Sequence, residues 1–552
     1  MIANVTINEK SFGHKVLYQG LSLQLQAREK VGVIGRNGTG KTTLFNLMTG
    51  LDTDFDGELD FKKNLIIISS RQEHTEHEDT PVLEYILDDL PQYASLKHIM
   101  DTYPATMGSN THKINKYSES LEQFSSLGYF MVEEEIIRSL EAYGLNQTQI
   151  NSMIGNLSGG QKRFVELVKV QHAKADLALI DEPTNHMDYI AKERFLEWFG
   201  SAQEAVVVIT HDRDVLNKVD RIVEIRDGRA ISFPGNYDAY LRINTSKITS
   251  EVNEFEVTQR RIINLKDDLV RFRRLKERAR DPGIIHRFKS LEERTKKELS
   301  QLQQLEKPSF WIDKESVQGL NTKMSAAYEE HKTRNIKIRA RATESTSNRL
   351  LIEASKLSLG YGETALFTDM HFQLREGDRM RLHGRNGAGK TTLVKAILAQ
   401  SCGEKPESQM LGGHIATENE IKIGNYEQEI ASKLLGVTLG AAIEQIYLAK
   451  DVKINDQKIK QLLSDYLFNP ATDGAMPLKL LSGGQKARFQ LISMLANDPQ
   501  VLILDEPTNH LDLPSIEEME QALKQYHGAI LYISHDTYFV KNIGGTEVVI
   551  GS

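Results

Sequence analysis

Residues 35–42 read Gly35-Arg36-Asn37-Gly38-Thr39-Gly40-Lys41-Thr42, and residues 384–391 read Gly384-Arg385-Asn386-Gly387-Ala388-Gly389-Lys390-Thr391. Each follows a strand-like stretch (VGVIG, MRLHG) and opens an apolar helix-like one (TTLFNLM, TTLVKAIL). The spacing is that of a phosphate-binding loop between strand and helix. Gly35, Gly38, Gly40 and their counterparts Gly384, Gly387 and Gly389 let backbone N–H groups close around an anion. Asn37 and Asn386 lie inside the loops. Lys41 and Lys390 would reach the terminal phosphates. Thr42 and Thr391, with Thr43 and Thr392 beside them, open the helices, and the first of each pair suits Mg²⁺.

Downstream, the runs LALID and VLILD end at Asp181 and Asp505, and both continue as DEPTNH. Such runs read as buried parallel strands. An aspartate at the strand end suits Mg²⁺, and Glu182 and Glu506 stand where a carboxylate could take a proton from an attacking water. His211 and His535 each follow their aspartate by 30 residues, after another apolar strand, and are candidate γ-phosphate sensors. A third identical pair precedes these: Leu157-Ser158-Gly159-Gly160-Gln161 and Leu481-Ser482-Gly483-Gly484-Gln485. At a helix N-terminus it makes a second anion cradle.

With these motifs in this order, the chain resembles the ABC ATPases in both halves. The resemblance implies that the signature of one half covers ATP held by the other, so that two ATP and two Mg²⁺ are sandwiched within one chain. It further implies that Phe12 and Tyr361 stack on adenine and that Gln72 and Gln428 contribute to the Mg²⁺ site. Asn185, His186 and Asp188, and Asn509, His510 and Asp512, correspond to the loops following the acidic pair. Two complete heads in tandem, each with DEPTNH and joined by a charged linker, resemble the ABC-F family of ribosome-associated translation ATPases. Its antibiotic-resistance members are the runner-up within the class.

Composition bounds the partners. The 552 residues are 40% hydrophobic and 26% charged, the balance of a globular protein. No apolar run approaches a membrane span, and the first residues lack the apolar core of a signal peptide. A single cysteine, Cys402, excludes an internal disulfide or an all-cysteine zinc site. A cytoplasmic monomer is expected. The net charge of −8 is uneven: residues 241–345 hold 24 Lys and Arg against 16 Asp and Glu, a local +8. Basic concentration in one segment points to nucleic acid.

The expected fold is α/β, with two P-loop nucleotide-binding domains, 1–240 and 346–552, joined by an α-helical coiled-coil linker, 241–345. Ile248, Val252, Phe255, Ile262, Leu265, Leu269 and Phe272 form a helical stripe. Asp281-Pro282-Gly283 breaks it, and Ile285, Phe288, Leu291, Leu299, Leu302 and Leu305 suggest a returning helix. Arg273, Arg274, Arg278, Arg280 and Arg287 crowd the turn beside Ile284, Ile285 and Phe288. Basic and apolar groups together suit RNA phosphates and bases. The first head carries 32 more residues than the second between its glutamine and its signature. They fall within about 84–126, read as helix, loop and helix, where the family places an arm that touches the ribosome. The resemblance makes the partners rRNA, tRNA and an exit-site ribosomal protein. An ATP-binding subunit of a membrane transporter and a DNA-associated ABC ATPase are the alternatives.

Overall fold

Four stretches, Leu177–Asp181, Ala205–Ile209, Val501–Asp505 and Ala529–Ile533, are buried at all five positions. A strand covered on both faces cannot alternate polar and apolar residues, and these do not. The computed structural model describes residues 1–550 except 14, 72–73, 75–76, 107, 109, 186, 279, 304–335, 337–347, 363, 404, 407, 419 and 428–429. In the first head the main sheet runs Ile67–Ser69, Leu177–Asp181, Ala205–Ile209, Lys30–Gly35, Arg221–Arg226, Arg229–Pro234. Its strands are parallel except for the last. The second head repeats the order with Ile423–Tyr426, Val501–Asp505, Ala529–Ile533, Arg379–His383 and Thr546–Val549, all parallel.

This order matters for chemistry. The strands leading to the P-loop, the acidic pair and the histidine are adjacent, so their carboxyl ends meet at one edge, where open parallel sheets hold ligands. Register keeps the edge level: Asp181 pairs with Ile209, and Asp505 with Ile533. A three-stranded antiparallel sheet accompanies each main sheet, made of Ala3–Phe12, Lys15–Leu25 and Asp56–Phe61 in the first head. Its inward residues Val5, Ile7, Leu21 and Leu23 join Val31, Val33, Leu44 and Leu47 in one core. Leu350–Tyr361, Thr364–Arg375 and Gln409–Thr417 do the same in the second head.

The chain divides into two compact units, Met1–Tyr237 with Ile336–Ser552, and Asp238–Asn335. Both heads thus lie in the first unit. Ile336, at the start of the second stretch of the first unit, is buried in the core of the second head. The second unit holds all but the first residue of the helix Tyr237–Arg278, broken before Pro282–Gln303. Proline at the first helical position has no N–H to waste there, and Asp281 accepts from the Gly283 and Ile284 amides at 2.7 and 3.1 Å. In the first head the extra residues form Tyr93–Thr106 and Thr111–Ser126. Asn110 caps the second of these, and Tyr93, Phe124 and Tyr129 join the pair with ring centroids 5.4–5.8 Å apart.

Candidate functional site

The P-loops require their glycines. Gly40 and Gly389 both sit at φ +97°, and a Cβ on Gly40 would lie 2.6 Å from the Tyr18 hydroxyl. The helices Lys41–Thr49 and Lys390–Ser401 begin immediately after. Lys41 Nζ donates to the Gly35 and Arg36 carbonyls at 2.8 and 3.2 Å, and Lys390 Nζ to Gly384 and Arg385 at 2.7 and 2.9 Å. Neither ammonium has a carboxylate at ion-pairing distance among the described residues, and burial pushes both below the usual lysine range. A desolvated cation ringed by backbone amides fits an anionic phosphate. Thr42 Oγ1 donates to Asp181 Oδ2 at 2.7 Å, and Thr391 Oγ1 to Asp505 Oδ2 at 2.8 Å. No cluster of three or more His, Cys, Asp or Glu ligands occurs among the described residues. One hydroxyl and one carboxylate completed by phosphate oxygens suit Mg²⁺, which keeps few protein ligands. Gln72 and Gln428 lie outside the described residues.

Glu182 and Glu506 both have φ +48°. Two non-glycine residues held alike in a sparsely populated region at the same strand ends mark over-determined sites. Burial, and then the neighbouring Asp181 or Asp505, push both carboxyls up to about 8. That is near the working pH a general base needs. Burial, then the P-loop lysine, hold His211 and His535 at about 3, so both imidazoles are neutral. His211 Nε2 lies 3.5 Å from Glu182 Oε1, and His535 Nε2 lies 3.3 Å from Glu506 Oε1. Neither geometry makes a hydrogen bond, and all four ring nitrogens are buried without one. An incoming polar ligand would satisfy them.

The two heads meet across these sites. A cavity of about 640 Å³ is lined by Ser158, Gly159 and Gly160 of the first head together with Tyr361, Asn386, Gly387, Gly389, Lys390, Thr391, Thr392, Asp505, Glu506 and His535 of the second. At the reciprocal position Asn37 Nδ2 donates to the His510 carbonyl at 2.9 Å. Gly484 is so close that a Cβ there would lie 2.0 Å from Asn37 Nδ2. Asp188 and Asp512 join the heads symmetrically. One oxygen of each caps its own helix, at Ala191 N and Ser515 N. The other accepts from the opposite P-loop, Asn386 N at 3.1 Å and Asn37 N at 3.2 Å.

Other expected ligands also have contacts within the protein. Gln161 Oε1 accepts from Ser158 N and Gln485 Oε1 from Ser482 N, both at 2.9 Å, closing a capping box in each signature helix. Phe12 is exposed with the Lys10 ammonium 4.8 Å above its ring. At the linker turn Arg274, Arg278, Arg280 and Arg287 are exposed. Arg273 is exposed as well and pairs with Glu292 at 3.1 Å, and Lys276 joins it at 2.6 Å. Phe288 stacks on Phe272 with centroids 6.5 Å apart, which leaves Ile284 as the exposed apolar residue of that trio.

Residues that sequence reasoning missed lie on the seam. Arg213 Nη1 donates to Glu520 Oε1 at 3.0 Å, with both side chains buried and Tyr538 over the guanidinium. Lys192 pairs with Asp212 and Asp214 at 2.8 and 2.6 Å, and Thr537 Oγ1 donates to Asp214 at 2.8 Å.

The ABC transporter family model matches residues 18–185 and 367–509. The chain is 27% identical over 549 residues to the ATP-binding protein Uup of Haemophilus influenzae, covering 98% of this chain and 77% of that one. It is 27% identical over 544 residues to ABC transporter F family member 5 of Arabidopsis thaliana, covering 97% and 72%. Among solved structures it shares its fold with an archaeal ribosome recycling factor in complex with ribosomal stalk protein aP1. That likeness has a TM-score of 0.58 at 17% identity and covers 99% of this chain and 87% of that one.

Proposed function

Because the chain belongs to the ABC transporter family, with the nucleotide-binding fold repeated in tandem and ATP hydrolysis as its activity, we propose that it is an ABC-F-type translation ATPase acting on the ribosome. Each P-loop holds one ATP. Lys41 and Lys390 neutralise the β- and γ-phosphates, and Ser158 and Ser482 cover the γ-phosphate from the opposite head. Mg²⁺, when bound by Thr42 and Asp181 or by Thr391 and Asp505 with the phosphates, supplies charge neutralisation at the reacting phosphoryl group. Glu182 and Glu506 accept the proton of the attacking water, and His211 and His535 hydrogen-bond the γ-phosphate. Closure of heads 1–240 and 346–552 over two ATP would set the basic linker 241–345 near tRNA and the peptidyl-transferase region, and the arm within 84–126 against ribosomal components. Hydrolysis would release the protein into the cytoplasm.

The observation that carries this reading is the cavity shared by Ser158–Gly160 of one head and the Lys390 loop of the other. The ribosome is favoured by the F-family relative, by the fold shared with a recycling factor and by the exposed arginines of the linker turn. No described helix is long and apolar enough to cross a membrane. Protection of the ribosome from antibiotics belongs to the same motion.

The test pairs Glu182→Gln with Glu506→Gln. Turnover should fall by about 10²–10⁴ while ATP binding persists, and the variant should accumulate on sedimented ribosomes. Parental hydrolysis would refute the base assignment. Accumulation on membranes or on DNA instead of ribosomes would favour a transporter subunit or a DNA-associated ATPase.

A further inference from the structure

The signature helix of the first head, Gly159–His172, carries a glutamate in the middle of its buried face, among Phe164, Val165, Leu167 and Val168. Glu166 Oε2 accepts from the Arg71 amide at 2.7 Å and from Lys169 Nζ at 2.8 Å. Its Oε1 bonds His74 Nε2 at 2.9 Å and the Tyr85 hydroxyl. Lys169 continues to Asp89 at 3.0 Å, and the Arg71 guanidinium reaches Asp89 at 3.3 Å and His77 at 2.7 Å. Burial alone would raise the Glu166 carboxyl. The Lys169 ammonium and the bonds from His74, Lys169 and Tyr85 outweigh it and hold the group at about 2.

The second head shows that the fold does not need this. Its helix Leu439–Ala449 is placed as Val82–Asp88 is, since the preceding residues Pro81 and Thr438 bridge to Met153 and Pro477, each five residues before its signature serine. At the positions of Arg71, His74, Tyr85, Asp89, Glu166 and Lys169 stand Glu427, Ile430, Ala442, Ile446, Gln490 and Ser493. Ile430, Ala442 and Ile446 belong to the apolar core or pack against it, and Gln490 Nε2 donates to the Glu427 carbonyl at 3.2 Å. Buried ion networks rarely stabilise more than the apolar packing that replaces them, so stability does not explain the difference.

What the network holds does. Arg71 follows Ser70, whose hydroxyl accepts from Asp181 N at 3.0 Å, and Asp181 in turn accepts from Thr42. Arg163 of the same signature helix donates to the Asp181 carbonyl at 2.8 Å. The N-terminus of that helix, Ser158, lines the other site. Tyr85 and Asp89 lie on and just after the helix that leads to the arm.

We propose that Glu166 is a positioning residue for ATP hydrolysis at the first P-loop, fixing Arg71 and His74, and through the adjoining Ser70 the Asp181 strand end, against the signature helix. The inference rests on the reading of Lys41, Asp181 and Glu182 as a hydrolytic site. Its test measures single-site turnover. In a Glu506→Gln background, where the first site alone turns over, Glu166→Gln should lower kcat about tenfold or more, the scale of a catalytic group displaced by a fraction of an ångström. KM for ATP should stay within about twofold, because the phosphate cradle around Lys41 is untouched. In a Glu182→Gln background kcat should change less than about twofold. Equal losses in both backgrounds, a rise in KM with kcat held, or no change would overturn the proposal. If Glu166→Gln fails to fold, Glu166→Gln with Lys169→Met removes both charges. That pair should fold and still lose first-site turnover, and parental turnover would overturn the proposal. The site reading fails on a separate result, parental hydrolysis by the Glu182→Gln, Glu506→Gln double variant.

Discussion

Glu182 and Glu506 share a φ of +48°, their carboxyls are raised alike, and Lys41 and Lys390 bond the same two loop carbonyls. Arg213 and Thr537, each two residues after its histidine, have nothing in common. The first sends a buried guanidinium into Glu520 of the opposite head, whereas the second offers a hydroxyl to Asp214. Asn37 closes directly on Gly484 and the His510 carbonyl, and the Lys390 loop shares a cavity with Ser158–Gly160. The groups expected to hold ATP are duplicated, and so are Asp188 and Asp512, which bridge the heads; the buried ion pair of Arg213 is not. Two identical reaction centres set in unequal surroundings can do the same chemistry and still respond differently to closure.

The seam offers the strongest way to break this comparison. Arg213→Ala leaves Glu520 buried without its cation and should cost about 3–5 kcal/mol, read as a lowered urea midpoint. Thr537→Ala gives up one hydrogen bond and should cost about 1 kcal/mol. Equal costs would mean that the asymmetry has no energetic content. Next come the signatures. Ser158→Arg should weaken nucleotide at Lys390 by at least about tenfold, or ~1.4 kcal/mol, and spare Lys41; Ser482→Arg should do the reverse. Site-resolved photocrosslinking decides, and loss at the site in the same head would show that the heads work separately.

The smallest effect concerns pH. A carboxyl whose folded pKa stands near 8 contributes stability that is complete below the unfolded value near 4.5 and is lost as pH rises through about 8. Glutamine carries no such loss. Glu182→Gln and Glu506→Gln should therefore each raise the melting temperature of the nucleotide-free protein at pH 9 by about 2 °C and leave it nearly unchanged at pH 4. A gain at one site alone would extend the asymmetry into the reaction centres themselves.

The candidate nucleotide sites were legible because a phosphate cradle must be built from consecutive residues: glycines for backbone approach, then a lysine. The linker break was legible for a similar reason, since Asp281, Pro282 and Gly283 act locally. Groups that act at a distance were not. Glu166 and its partners Arg71 and Tyr85 are 95 and 81 residues apart, and Arg213 and Glu520 are 307 apart. No periodicity links them; the sole trace was an acidic residue inside an apolar helical stripe. Charge counting alone did not show that Arg273, exposed like its neighbours, also pairs with Glu292. Gln161 and Gln485 carried a visible capping-box spacing from Ser158 and Ser482, which the stronger motif obscured. In the first-head insertion, the helix runs through Pro104 to Thr106.

The left-handed backbone at Glu182 and Glu506 also limits how a long-lived, ATP-trapped form of this protein could be engineered. Glutamine preserves side-chain length but stays in a conformation that disfavours most residues by roughly 1–2 kcal/mol. Asparagine tolerates that region better and glycine occupies it freely, at the expense of reach toward the water. Valine and isoleucine would be genuine outliers there. A substitution library at these positions would therefore sort along two axes, backbone ease and side-chain reach, and scoring it by turnover alone would confound them.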